Sequence, residues 1–183
     1  KEYGLVVTEE WDERYDLRKA TRAAVEYLKS SYTRFGDWAL TCAAYNCGEA
    51  GVKRQLEKQE CKDYWGLNIN RETSRYVYRI LAYKILIENP QQYGFYVRKK
   101  DCHQPLIYDT ITIDSTITNM QAFAKKMDCP YKYFKTLNPQ LRSDKLTNSN
   151  KKKYTFKIIT KENLSYSNAL EQNNLTDNTD YLE

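Results

Sequence analysis

Residues 36–48 read Gly-Asp-Trp-Ala-Leu-Thr-Cys-Ala-Ala-Tyr-Asn-Cys-Gly, and this stretch decides the fold. Asp is one of the residue types that cap the first turn of a helix, and Gly is the type that most often follows the last turn. Asp37 and Gly48 therefore predict a helix from Trp38 to Cys47, with a middle that is rich in alanine.

The sequence on both sides of this stretch is also helical. Before it, apolar residues recur at helical spacing from Leu17 to Phe35, between a capping Asp16 and Gly36. After it, we predict a short helix around residues 52–58 and a long one over residues 72–88, which ends before a proline. Gly-punctuated helices with few strand signals are typical of a compact all-α unit, which we assign to residues 1–95.

The pattern changes after residue 95. Residues 96–107 have no clear period and are interpreted as a linker. Residues 108–113 and 154–160 alternate as strands do, and two short helices are predicted between them, at residues 119–127 and 131–137. This order predicts a small α+β module over residues 108–160, followed by a polar tail, residues 161–183. The fold class predicted for the whole chain is mainly α.

Composition excludes several classes of protein. The chain has 183 residues, of which 41% are hydrophobic, and its mean hydropathy is -0.82. The hydrophobic content excludes disorder throughout, and no apolar run is long enough to span a membrane. The N-terminus does not look like a signal peptide. A net charge of +5, spread along the chain, does not indicate a nucleic-acid partner. The 17 tyrosines suit a surface that binds polar ligands such as sugars.

The five cysteines predict neither a metal site nor a catalytic nucleophile. They form no CxxC pair, and the chain has a single histidine, so zinc spacing is absent. A cysteine nucleophile needs a histidine partner, and His103 lies in the predicted linker. A disulfide from Cys47 to Cys61 or to Cys102 stays open for an oxidising compartment. We expect no metal and no cofactor.

An ordered series of motifs in the helical region resembles the lytic murein transglycosylases with a goose-lysozyme-like fold, in particular the membrane-bound transglycosylase D branch. The motifs are Tyr3-Gly4-Leu5, Trp11-Asp12-Glu13-Arg14-Tyr15-Asp16, Phe35-Gly36-Asp37-Trp38, Ala43-Ala44-Tyr45-Asn46-Cys47-Gly48 and Arg71-Glu72-Thr73-Ser74-Arg75-Tyr76-Val77. The resemblance covers about half of the chain and implies that residues 1–95 are the C-terminal part of a lysozyme-like domain.

The second module is similar to LysM, a small peptidoglycan-binding fold. Residues 114–117, Asp-Ser-Thr-Ile, stand where that family usually has Gly-Asp-Thr-Leu, and Leu137-Asn138-Pro139 matches its Leu-Asn turn. The family's glycine is absent and the last loop is longer than usual. Two roles therefore stay open for this module: it binds glycan, or it is a spacer packed on the first domain.

The resemblance also implies a mechanism. Members of the family use one Glu, in an E-S-x-F motif, as acid and then base, and the substrate closes a 1,6-anhydro ring so that water is not consumed. That motif and a following G-L-W-Q-F segment precede the Y-G-L passage, which here begins at Tyr3. We therefore expect the general acid upstream of residue 1, no catalytic residue in this chain, and no activity of this chain alone.

Four residues are expected to hold the substrate. By resemblance, Tyr45 positions the reacting sugar, and Asn46 holds local backbone or an acetamido group. Tyr76 is expected to form a second wall of the groove, and Arg75 to meet a carboxylate of the peptide stem. The alternatives are structural: a buried tyrosine for Tyr45, helix packing for Tyr76, and an exposed, unengaged arginine for Arg75.

No glutamate within the chain is predicted to replace the missing acid. Glu9, Glu10 and Glu49 are expected to be solvated, with Glu49 just after the helix-ending glycine. Glu72 is interpreted as a cap at the start of the long helix, where the helix dipole favours a carboxylate.

The function predicted by resemblance is that of a peptidoglycan lytic transglycosylase, with glycan strands as partner. It would act as a monomer in the periplasm, anchored to the outer membrane in the longer protein. The alternative is a non-catalytic wall-binding or scaffolding protein. In that case the helical region would merely support the LysM-like module.

Overall fold

The structure, a computed structural model, describes residues 2–98, 101–103 and 106–165. Most of the predicted polar tail lies outside these residues. The chain divides into two compact units: Thr21–Tyr96, and Lys1–Ala20 together with Val97–Glu183. These units reflect packing, whereas the domain limits predicted above follow family patterns, so those limits stay a prediction.

The first part of the chain is helical. The α-helices are α1 (Leu17–Phe35), α2 (Trp38–Cys47), α3 (Glu49–Lys58) and α4 (Arg71–Glu88), with single 3-10 turns at Glu13–Tyr15 and Pro90–Tyr93. The bounds predicted for α1 and α2 are confirmed, α4 begins one residue before the predicted start, and α3 begins three residues earlier than expected.

The ends of α2 are formed as the sequence predicts. The Asp37 carboxylate accepts a hydrogen bond from the Leu40 N–H at 2.6 Å, which satisfies one of the free donors of the first turn. Gly48 has a φ of 86°, a conformation that favours glycine, and it lets α3 begin at the next residue. The prediction for α4 was wrong in one respect: its cap is Asn70, and Glu72 lies inside the first turn.

The core of the helical unit lies between α2, α3 and α4. Its buried hydrophobic residues are Ala39, Leu40, Ala43, Ala44, Val52, Tyr64, Leu67 and Val77. Three of them are alanines on α2, whose small side chains allow close approach of the neighbouring helices. The Tyr64 hydroxyl lies 2.9 Å from the carbonyl oxygen of Ser74 and thereby ties the loop before α4 to its first turns.

The second unit contains the predicted strand–helix–helix–strand module. Its elements are β1 (Asp109–Ile113), α5 (Met120–Lys126), α6 (Tyr131–Leu137) and β2 (Tyr154–Ile158). The two strands pair antiparallel, with Ile111 opposite Phe156. Met120, Phe134 and Phe156 are fully buried between the strands and the helices. Together with the helices of the first unit, this module confirms the predicted fold class.

Residues 6–16 pack into the core of the same unit, a contact for which the sequence gives no local signal. Trp11 is 1% exposed and pairs with Leu141 as an isolated antiparallel bridge. On either side of it, the Asp12 N–H donates to the Gln140 carbonyl at 2.7 Å, and the Arg142 N–H donates to the Glu10 carbonyl at 2.9 Å. We refer to residues 6–16 as the N-terminal strap.

Candidate functional site

The end of α2 places two of the predicted site residues. Ala43 and Ala44 are fully buried, and the next two residues along the helix turn outward from that core. Tyr45 is 45% exposed and Asn46 is half-buried. The alternative of a buried tyrosine at position 45 was therefore wrong, and a role of Tyr45 in positioning the sugar stays a prediction.

Asn46 connects α2 to the start of α4. Its Oδ1 atom accepts a hydrogen bond of 2.8 Å from the Thr73 hydroxyl, and Thr73 is completely buried. Thr73 in turn contacts Asn70, the cap of α4, through its backbone N–H and its hydroxyl. The side chain of Asn46 is thus held by the side chain of Thr73. In the described part of the chain, no backbone group forms a hydrogen bond with it.

The ring of Tyr27, on α1, packs against the ring of Tyr45. The two rings lie 5.5 Å apart at an interplanar angle of 73°, an edge-to-face arrangement. The Tyr27 hydroxyl donates to the Ala44 carbonyl at 3.0 Å, which fixes the Tyr27 ring against the end of α2. Sequence reasoning treated Tyr27 only as an apolar position of α1. Its place among the recurring apolar positions of that helix, beside an alanine-rich neighbour in sequence, was the available signal.

Tyr76 lies near the same surface. It is half-buried on α4, and burial raises the pKa of its phenol, with smaller contributions from the neighbouring Tyr45 and Cys42. A phenol with a raised pKa stays protonated at neutral pH and can donate a hydrogen bond. Thr73, three residues before Tyr76 on α4, bonds to Asn46 on α2, so Tyr45, Asn46 and Tyr76 lie in the region where α2 meets α4. We call these three residues the α2–α4 surface.

Arg75 is not part of any such contact. It is exposed on α4, and no ion pair or hydrogen bond joins its side chain to a residue within the described ranges. It remains free to meet an anionic group.

Two glutamates of the helical unit form ion pairs with arginines. Glu72 is exposed and pairs with Arg79 at 3.4 Å. The expectation that Glu49 is solvated was wrong: its side chain is 15% exposed and pairs with Arg34. Because Glu49 starts α3 directly after Gly48, it faces α1 and not the solvent. No acidic side chain in the described part of the chain bonds to Tyr45, Asn46 or Tyr76.

Two of the three glutamates of the N-terminal strap, Glu10 and Glu13, have structural contacts, whereas Glu9 is exposed as expected. The expectation that Glu10 is solvated was also wrong, because its carboxylate accepts from the Thr147 N–H at 2.6 Å. Glu13 is buried, bonds to the Val6 N–H at 2.8 Å and pairs with Lys19 at 2.5 Å. Burial alone would raise the pKa of Glu13, but the hydrogen bonds and charge of its partners outweigh this and hold the pKa below its ordinary value.

The LysM-like module has a groove of its own. A cavity of about 350 Å³ is bordered by the turn after β1 and by α5. Its lining combines polar and apolar residues, namely Ser115, Thr116, Thr118, Asn119 and Lys126 with Ile113, Ile117, Ala122, Phe123 and Met127. The turn is held by Asn148, whose N–H donates to the Thr116 hydroxyl at 2.9 Å and whose side-chain amide donates to the Asp114 carbonyl at 2.9 Å. Hydroxyl groups beside a phenylalanine ring suit a polar ligand with an apolar face.

Three further properties bear on the function. All five cysteines are free thiols, so neither of the disulfides left open above is formed in the structure. Across residues 2–98, 101–103 and 106–165, no three His, Cys, Asp or Glu side chains are grouped as a metal site. Within the same ranges, no helix combines the length and the apolar character that crossing a membrane requires.

Two family models match parts of this chain. The transglycosylase SLT domain model matches residues 1–68, a range that includes Tyr45 and Asn46 but neither Arg75 nor Tyr76. The soluble lytic transglycosylase C-terminal LysM-like domain model matches residues 109–162. The first match supports the lysozyme-like fold, and the second supports the LysM-like module.

Two relatives carry the same description, membrane-bound lytic murein transglycosylase D, one from Escherichia coli strain K12 and one from E. coli O6:H1 strain CFT073. Each is 35% identical over 99 residues, which is 51% of this chain and 22% of the relative. The chain thus spans about a fifth of the length of these relatives. Residues 1–68 therefore match the transglycosylase SLT domain family, residues 109–162 match the LysM-like domain of soluble lytic transglycosylases, and the chain is homologous to membrane-bound lytic murein transglycosylase D.

Proposed function

We propose that this chain supplies the substrate-holding part of a peptidoglycan lytic transglycosylase. The parent enzyme would cleave the glycosidic bond between N-acetylmuramic acid and N-acetylglucosamine without water and leave 1,6-anhydro ends. The observation that carries the proposal is the α2–α4 surface, in which Tyr45 and Asn46 stand beside Tyr76 within a chain homologous to such an enzyme.

The chemistry of this surface suits a sugar chain. The exposed ring of Tyr45 offers an apolar face to a pyranose ring, while the Tyr76 hydroxyl and the Asn46 amide offer hydrogen-bonding groups. Arg75 would meet a carboxylate of the peptide stem. Four residues are thus proposed to bind substrate: Tyr45, Asn46, Arg75 and Tyr76.

The proton donor would come from another part of the parent protein. Protonating the leaving oxygen needs a carboxylic acid close to the bound sugar. The described glutamates are solvated, as Glu72 is, or engaged elsewhere, as Glu13 and Glu49 are. We propose that a single glutamate N-terminal to the Y-G-L passage serves as acid and then base, and that this chain alone is inactive. No cofactor is needed for such a step.

The second half of α4 supports the proposal that more protein packs on the helical unit. Its exposed apolar residues are Tyr78, Ile80, Leu81, Tyr83, Ile85 and Ile87. At about 100° per residue these positions fall on two opposite sides of the helix, and an exposed patch of large apolar side chains marks a surface that contacts further protein. Additional helices of the parent's transglycosylase domain would cover this half of α4.

The LysM-like module is proposed to bind the same polymer through its own groove. Hydroxyl side chains beside Phe123 favour this role over that of a mere spacer. This groove also supports the second candidate, a wall-binding or scaffolding protein without catalysis. In either case the partner is a peptidoglycan strand and the place of action is the periplasm, with the longer protein anchored to the outer membrane and monomeric.

Two measurements test the proposed function. In the first, purified sacculi are incubated with this chain and, separately, with the longer parent protein, and the soluble products are identified by mass spectrometry. We expect 1,6-anhydro muropeptides from the parent and none from this chain. Their release by this chain would show that an acid within residues 1–183 is sufficient. Their absence with both proteins would favour the scaffolding candidate.

The second measurement tests the surface. Binding of this chain to sacculi is followed by co-sedimentation, and Tyr45→Ala is compared with Tyr93→Ala. Tyr93 has a similar exposure, 50% against 45%, but lies outside the α2–α4 surface. We expect weaker binding for Tyr45→Ala only. Equal binding by both variants and the unaltered chain would remove Tyr45 from the site.

A further inference from the structure

We propose that Thr73 is a positioning residue of the α2–α4 surface: its hydroxyl orients the Asn46 carboxamide so that the Nδ2 group faces the substrate. The inference rests on the proposed function, because it concerns the same site. It goes further by naming the chemical group that Asn46 recognises, a hydrogen-bond acceptor, for which the acetamido carbonyl oxygen of the sugar is the candidate.

A backbone N–H group can only donate a hydrogen bond. The Thr73 N–H donates to the side-chain oxygen of Asn70 at 2.9 Å, as expected for the cap of α4. This bond fixes which way the Asn70 amide points. Its other end, Nδ2, lies 2.9 Å from the Thr73 hydroxyl oxygen, and since an amide nitrogen is a donor, the hydroxyl must accept there.

The Thr73 hydroxyl therefore has its one hydrogen left to donate. Two oxygens lie within reach: Asn46 Oδ1 at 2.8 Å and Asn70 Oδ1 at 3.2 Å. The Asn70 oxygen already accepts the backbone N–H and is the more distant of the two. The hydrogen consequently goes to Asn46, which presents its oxygen and not its nitrogen to Thr73.

The orientation of Asn46 follows from this chain of bonds. With Oδ1 turned to Thr73, the Nδ2 group carries two N–H donors on the other side of the amide. No residue that the structure describes accepts a hydrogen bond from this group, and Asn46 is half-buried beside Tyr45. The two N–H bonds of Asn46 Nδ2 are held in a fixed direction and have no acceptor among the described residues. They therefore select a hydrogen-bond acceptor on the ligand, such as a carbonyl oxygen.

Burial makes this arrangement stiff. Thr73 is 0% exposed, so water cannot replace either of its partners. Without the hydroxyl, the Asn46 amide could turn over and present its oxygen to the substrate. Two acceptors would then face each other, and affinity for an acetylated sugar would fall.

The test uses this chain labelled with nitrogen-15 and two probes, the tetramer of N-acetylglucosamine and the same tetramer without acetyl groups. The side-chain amide signals of Asn46 are identified by their absence in Asn46→Ala. We expect these signals to shift with the acetylated tetramer and not with the other. We expect Thr73→Val to weaken binding of the acetylated tetramer about tenfold, the effect of one lost hydrogen bond, and Thr73→Ser to bind within about twofold of the unaltered chain.

Matched variants distinguish a role of Thr73 in orienting Asn46 from a general effect of Thr73→Val on folding. Thr33→Val makes the same change on α1, where the hydroxyl bonds only to its own helix, and should bind normally. If Thr73→Val does not fold, Asn70→Ala tests the same chain of bonds, because it frees the Thr73 hydroxyl to turn away from Asn46. Asn70→Ala is then expected to weaken binding of the acetylated tetramer, while Thr73→Ser still binds.

The outcomes distinguish this inference from the proposed function. If Asn46→Ala and Tyr45→Ala lose binding while Thr73→Val binds normally, the positioning role is refuted and the site stands. A shift of the Asn46 signals with both tetramers refutes the acceptor preference alone. If the chain binds neither tetramer, or binds the acetylated one without any effect of Tyr45→Ala or Asn46→Ala, the inference and the site fail together.

Discussion

The indole ring of Trp11 stands edge-on against the phenol ring of Tyr154, with 4.9 Å between the ring centroids. A second edge contact, at 5.3 Å, joins the indole to Phe156. Both partners are on β2, more than 140 positions along the chain, and Trp11 is 1% exposed. The N-terminal strap therefore supplies the largest side chain in the core of the unit that contains the LysM-like module.

Replacing Trp11 by alanine should destabilise this unit strongly. The change removes a fully buried indole and two aromatic contacts, and the cavity cannot close completely, so we expect a loss of about 4 kcal/mol in the free energy of unfolding. Urea unfolding followed by circular dichroism measures it. Trp38→Ala is the matched control, since Trp38 is 56% exposed and mainly stacks on Tyr32. Its loss should be about 1 kcal/mol. Similar losses for both variants would contradict the packing described for Trp11.

Asn138 should contribute as much to the free energy of unfolding as an apolar core residue does, although its side chain is polar. Its amide donates at 2.8 Å to the carbonyls of Phe134 and Lys157, and its oxygen accepts from the Lys157 N–H at 2.8 Å. Asn138→Ala leaves buried backbone groups of α6 and β2 without partners. We expect a loss of about 3 kcal/mol in the free energy of unfolding, measured with urea. Asn150→Ala, at an exposed position, should change it by less than about 0.5 kcal/mol. Stability retained in Asn138→Ala would disprove this role.

Low pH should reduce the contribution that Glu13, in the N-terminal strap, makes to the free energy of unfolding. Because the pKa of Glu13 is lower in the folded chain than in the unfolded one, its contribution to stability is complete above its ordinary pKa of about 4.5 and is lost as the pH falls through the folded value. The difference in unfolding free energy between the unaltered chain and Glu13→Gln should therefore shrink from pH 6 to below pH 4. Urea midpoints at several pH values measure it. A difference that does not change with pH would contradict the prediction.

Tyr131 should titrate at unusually high pH. Burial, and then its 2.7 Å hydrogen bond to Asp144, raise the pKa of Tyr131 to about 12. A raised pKa means that its contribution to stability is complete below the unfolded value of about 10 and is lost as the pH rises through the folded value. Carbon-13 NMR of the tyrosine rings measures this, with Tyr131→Phe identifying the signal. Asp144→Asn should lower the pKa of Tyr131. If the pKa does not move, the hydrogen bond is not a cause.

The elements of the fold could be predicted because their signals are local. Asp37 and Gly48 lie next to the helix they delimit, and a cap acts only on the turn beside it. The alternation of β2 is likewise contained in five residues. The motif series placed Tyr45 and Asn46 together because they are neighbours in sequence, and Tyr76 came from a second motif of the same resemblance.

The contacts that sequence reasoning missed join distant positions. The Glu10 carboxylate meets Thr147, 137 positions away, and no spacing rule predicts such a pair. For the same reason Glu10 was expected in solvent. The cap of α4 was missed for a different reason: Asn70 and Glu72 both suit the start of a helix, and only the geometry of the turn shows which one accepts the Thr73 N–H.

The N-terminal strap has a consequence for how such enzymes can be recombined. Within this unit, a module cut at residues 109–162 would lose Trp11 and the two backbone bonds beside it. In a chimaera that exchanges only the C-terminal module between transglycosylases, the transferred module would have a cavity at β2 where Trp11 packs. The Trp11 indole that stays behind would lose its buried site. An exchange of the LysM-like module should therefore include residues 6–16, although the family match assigns these residues to the transglycosylase domain.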